Sequence, residues 1–163
     1  MEHYLSFLPQ LMSLQNAAAE MMNCNQFTQS YGLLLTEADA KQIIAVRKQV
    51  LASCGRVELG AGMLGKLIIA FCDSPYINQS DYTDILEELL EIFYYFKNES
   101  LDELSDDELI ASMKQYFDHQ CHGSLELLRS RELEILTNNI RHGKEEYEDL
   151  DLEEELYLGE DEE

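Results

Sequence analysis

The sequence predicts a mainly α fold, a compact bundle of about five or six helices around a central apolar element at residues 63–72. Three observations carry that reading. From Leu34 to Leu136 apolar residues recur at i, i+3, i+4 and i+7, the spacing of helices that bury one face. Start and stop signals bracket those stretches, with Thr36, Ser105 and Ser124 as N-caps and Gly55 and Gly123 as breaks. Between the helices lies Leu67-Ile68-Ile69-Ala70-Phe71-Cys72, apolar nearly all round, as an enclosed element must be.

Taken in order, Leu8, Leu11, Met12, Gln15, Ala18, Ala19 and Met22 keep helical spacing. Asn23 to Ser30 is polar and reads as a loop. Thr36 opens a helix with Glu37 and Asp39 in its first turn, where the helix dipole favours acids. Its inner stripe, Ala40, Ile43, Ile44, Arg47, Val50, Leu51 and Cys54, is apolar except at Arg47. Gly55 suits the left-handed residue that ends a helix. Residues 56–59 form a short connection, and a two-stranded β piece near 57–59 is the alternative to irregular chain there. After the apolar element, Ser74-Pro75 closes the turn. Ser80 or Asp81 begins a helix with the chain's strongest stripe, Tyr82, Ile85, Leu86, Leu89, Ile92, Phe93 and Phe96. Ser105 with Glu108 makes a capping-box pattern before a helix that points Leu109, Ile110, Met113, Tyr116 and Phe117 inward. A last helix from Ser124 has Leu127, Leu128, Ile135 and Leu136 as its apolar positions.

At 163 residues and 45% hydrophobic, the chain is one domain with a sizeable core. We expect a single helical domain over residues 1–143 and a disordered acidic tail over 144–163. The net charge is −22, and half of it sits in that tail, where twelve acids meet one lysine. Such a balance argues against direct nucleic-acid binding and against an anionic membrane surface. Four scattered cysteines without a CxxC pair, and no apolar run near the roughly 20 residues that span a bilayer, suggest reduced thiols in a cytoplasm.

The run GRVELGAGMLGKLIIAFCDSPYI, then EIFYYFKNES, LSDDEL and CHGSLELL, resembles an uncharacterised family of small Firmicutes proteins, a domain of unknown function. The resemblance covers about Leu34 to Leu136. It implies a bacterial, cytoplasmic protein and transfers no activity, cofactor or catalytic residue.

Several motifs bear on chemistry. Gly60-x-Gly62-x-x-Gly65 matches a dinucleotide fingerprint, but a helix and a short connection precede it instead of a strand. Gly60-x4-Gly65-Lys66 matches most of a phosphate-binding loop, yet Leu67 stands where a magnesium-holding hydroxyl belongs. Flexible turns and helix packing explain these glycines better, so no cofactor is expected. His119, Cys121 and His122 are the one dense set of soft ligands and the candidate metal site, against the simpler reading that a histidine near a helix end caps carbonyls. Asp84, Glu87, Glu88 and Glu91 share one helix face, which reads as a solvated surface and as a candidate interaction surface. In the tail, Leu156 and Tyr157 are candidate docking anchors among acids.

The functional expectation is a non-enzymatic interaction module that binds another cytoplasmic protein through its acidic helix face or tail. One alternative is an acidic nucleic-acid mimic that blocks a basic protein. Another is a small metalloenzyme using Cys121 and the neighbouring histidines.

Overall fold

A computed structural model describes residues 17–58 and 60–142. Those residues are helical with irregular connections, and no strand occurs among them. Val57 and Glu58 take no strand conformation, so the β piece considered near 57–59 is not formed at these two positions, and Leu59 lies outside the described residues. Glu58 instead turns its carboxylate onto the Met63 N–H at 3.2 Å, tying the connection to the helix that follows. The tail at 144–163, with Leu156 and Tyr157, also lies outside the described residues.

The first described helix, α1, occupies residues 17–23 and buries Ala17, Ala18 and Met21. The stretch read as a loop then folds as α2 (Asn25–Thr28) and a 3-10 turn (Gln29–Tyr31), which corrects that reading. Two of its polar side chains bond the connection that follows. Asn25 donates to the Leu35 carbonyl and accepts from its N–H, each at 2.8 Å. The buried Thr28 hydroxyl donates to the Leu33 carbonyl at 2.7 Å.

Helix α3 (Glu37–Cys54) carries a complete capping box, with Thr36 accepting from the Asp39 N–H and Asp39 accepting from the Thr36 N–H. Gly55 ends it at φ +68°, left-handed as its sequence position requires. Helix α4 (Met63–Phe71) follows, then α5 (Tyr82–Glu99) and α6 (Asp106–Asp118). The closing helix has three parts: α7 (Leu125–Leu127), a π segment (Leu128–Glu132) and α8 (Leu133–Arg141).

Helix α5 is the spine. It packs along α3 and also meets α4, α6 and α8, while α4 lies against α6. Its buried side chains include Leu86, Leu89, Leu90, Phe93 and Phe96. Leu67, Ile68 and Phe71 of α4 are buried in the same core, and Phe71 meets Phe117 edge-on at 5.5 Å. Yet α4 is not enclosed all round: Ile69 is 40% exposed and Lys66 reaches solvent, where it pairs with Asp107 at 3.0 Å. An added Cβ at Gly65 meets nothing within 4 Å, so close helix packing does not explain that glycine.

Candidate functional site

Glycines Gly60 and Gly62 both adopt positive φ, at +64° and +51°, and lead into α4. The Arg47 guanidinium reaches this connection from α3 and donates to the Ala61 carbonyl at 2.8 Å and the Gly60 carbonyl at 2.6 Å. Glu20 of α1 closes on it from another direction, accepting from the Ala61 N–H at 2.8 Å. Burial pulls the Arg47 guanidinium below its ordinary value, with Glu58 and Glu20 acting in the opposite sense. The one charged residue in the α3 stripe is thus a clamp on the glycine connection. Two of the N–H groups that a phosphate loop would offer, those of Ala61 and Met63, are bonded to the carboxylates of Glu20 and Glu58.

His119, Cys121 and His122 do not assemble. Cys121 is 2% exposed and faces the core, whereas both histidines point outward. Among the described residues no group of three His, Cys, Asp or Glu side chains is placed to hold a metal. His122 instead stacks edge-on to Tyr76, whose hydroxyl lies 3.3 Å from its Nδ1. The burial of Cys121 pushes its thiol up, as does the neighbouring Glu132, with Arg131 opposing.

The acidic face of α5 divides. Asp84, Glu88 and Glu91 are exposed, but Glu87 is half-buried and accepts from the Gln42 amide at 2.8 Å, stitching α5 to α3. That amide partner takes Glu87 out of the free surface.

Beyond Glu91 the surface becomes concave. A groove of about 780 Å³ runs between the C-terminal part of α3, the second half of α5, and the π segment with the start of α8. Its lining includes Cys54, Glu91, Tyr95, Glu99, Arg129 and Glu134. Tyr95 is 49% exposed, and its ring is braced edge-on against Phe96 at 4.9 Å. Glu99 pairs with Arg141 at 2.7 Å. Glu91 on α5 and Glu134 on α8 have no ion-pair partner among the described residues. The π segment supplies Arg129 and Ser130 to the wall. Such wide turns are rare and recur at functional sites, because the extra residue re-aims the side chains after it. Sequence reasoning found only Glu91 of this set. Exposed Tyr95 within the α5 stripe region was the signal available for more, since its phase sets it opposite Phe93 and Leu86.

Residues 20–146 match the model of a family of unknown function. The chain belongs to that family, DUF6323. The match contains every described element from the middle of α1 to α8, and so contains all three segments that line the groove. No curated protein and no solved structure matches the chain. No helix among the described residues is long and apolar enough to cross a membrane.

Proposed function

We propose that this DUF6323 protein is a non-enzymatic interaction module, and that it receives a basic segment of another protein in the groove between α3, α5 and the π segment. The observation that carries the reading is the pair Glu91 and Glu134. They line one concave surface from different helices, and neither is neutralised by an ion pair among the described residues. Tyr95, 49% exposed, lines the same groove, and an arginine or lysine seated there would gain from the carboxylates and from the aromatic quadrupole. A chain of net charge −22 would steer such a partner from a distance, and the groove would fix its register. Exposed Asp84 and Glu88 extend the same charge along α5 beyond the groove.

The groove contains a thiol, hydroxyls and carboxylates, but no described base is bonded to the Cys54 sulfur, whose contact is the Ser53 hydroxyl at 3.9 Å. Binding is therefore the better use of these groups.

Capture from a cell lysate by wild type and by Tyr95→Ala plus Glu91→Gln tests the proposal. We expect a partner that the wild type retains at moderate salt and the double variant loses. Equal capture by both would remove the groove as the contact surface. Retention that depends on salt alone, indifferent to Tyr95, would favour the nucleic-acid mimic instead.

A further inference from the structure

The groove between α3, α5 and the π segment is lined by a cation as well as by acids. The chain has 33 acids against 11 lysines and arginines, so an arginine left without a carboxylate calls for a reason. Of its five arginines, four have partners. Arg47 holds the Gly60 and Ala61 carbonyls, Arg56 pairs with Asp102, Arg131 with Glu132 and Arg141 with Glu99. Arg129 has no ion-pair partner among the described residues, although it shares the groove lining with Glu91, Glu99 and Glu134. Its side chain is exposed, while Leu128, fully buried beside it, holds the start of the π segment in the core.

Other polar groups of the lining are used within the chain. Ser53 and Ser130 donate their hydroxyls to the Val50 and Glu126 carbonyls, each at 2.7 Å. Asn98 Oδ1 accepts from Arg56, and Glu99 accepts from Arg141. The charges left over are Glu91 and Glu134 on one side and Arg129 on the other. The groove therefore offers both signs.

We infer that the protein segment received in this groove carries mixed charge, a basic residue for the carboxylates and, at a set spacing from it, an acidic residue that pairs with Arg129. This rests on the groove being the contact surface and adds the second sign to it. Ionised Glu91 and Glu134 only accept, so they call for a donor. Arg129 only donates, so a purely basic segment leaves it unpaired beside like charge. Like charges brought together cost affinity, which lets the groove reject polybasic segments that its carboxylates alone would admit. A guanidinium can take a carboxylate in two parallel bonds, so Arg129 also sets the register of the segment. At physiological salt the net charge of −22 acts over only about 8 Å, so local sign decides the choice of partner.

Amide-shift titration of the labelled full chain at physiological salt tests it, with arginine-anchored peptides in which each other position in turn is Glu, Gln or Lys. At one spacing Glu should bind about threefold tighter than Gln, the reach of an exposed ion pair, and Lys should bind weaker than either. Arg129→Glu should invert that order at the same spacing and leave the order elsewhere unchanged. Arg129→Gln should erase it, and provides a second variant should the charge reversal not fold. Glu no better than Gln at every spacing, or a Glu preference that survives in the folded variants, would overturn the inference and leave the groove as the contact surface. Absence of binding by every peptide would overturn both.

Discussion

The Arg47 guanidinium donates to the Ala61 carbonyl at 2.8 Å, so that a charge buried in the α3 stripe sets the entry of the chain into α4. The planar fork takes the Gly60 carbonyl at the same time, a geometry that a lysine ammonium does not reproduce. Arg47→Lys should therefore destabilise the fold measurably, and Arg47→Met should cost on the order of 3 kcal/mol, because two carbonyls and the nearby carboxylates lose their donor. Chemical denaturation of the two variants measures this. An Arg47→Lys protein as stable as wild type would show that charge alone, without the fork, suffices.

Lys114 makes a second prediction, about pH. It bridges Asp118 at 2.5 Å and Asp73 at 2.8 Å, and Asp118 also accepts from the buried Ser74 hydroxyl at 2.6 Å. Burial by itself lowers the Lys114 ammonium, but its bonds to Asp118 and Asp73 outweigh that and leave it above its ordinary value of 10.5. A raised folded value means the contribution is fully present below pH 10.5 and is lost as pH rises through the higher folded value. Asp118→Asn should reduce stability at neutral pH and flatten this alkaline loss. An identical alkaline profile in the variant would place the titration elsewhere.

The thiols should separate by reactivity. Cys72 and Cys121 are 3% and 2% exposed, and burial first, then a neighbouring acid, pushes each thiol up. Both disfavour the thiolate, which is the reactive species. Cys54 is half-buried and lines the groove. Titration of the native protein with a disulfide reagent near pH 8 should modify Cys54 well before Cys72 and Cys121, and denaturant should release the slow pair. Native Cys121 reacting as fast as Cys54 would contradict its buried placement.

Much of the fold was legible because helix punctuation is local. Thr36, Gly55, Ser105 and Ser124 act at the positions their types suggest, and the Tyr82–Phe96 stripe faces the core. What sequence missed depends on distant partners. Asn25 and Thr28 look like loop residues until their bonds to Leu35 and Leu33 are known. A constant 3.6 period through the last helix would turn Ile135 inward with the other apolar positions. The π segment advances the phase, so Leu128, Leu133 and Thr137 are buried and Ile135 is 53% exposed. The groove suffers from both effects. Its walls come from residues 50–54, 91–99 and 129–134, and only the π turn brings Arg129 and Glu134 to it.

The most direct test of the groove is amide chemical-shift mapping of the labelled full chain with an arginine-rich peptide at physiological salt, beside an equally charged lysine peptide without aromatic-stacking capacity. The account predicts saturable shifts concentrated at residues 50–54, 91–99 and 129–134, stronger for the arginine peptide and abolished by Tyr95→Ala. Shifts spread over the acidic surface without saturation, or confined to residues outside that groove, would contradict it.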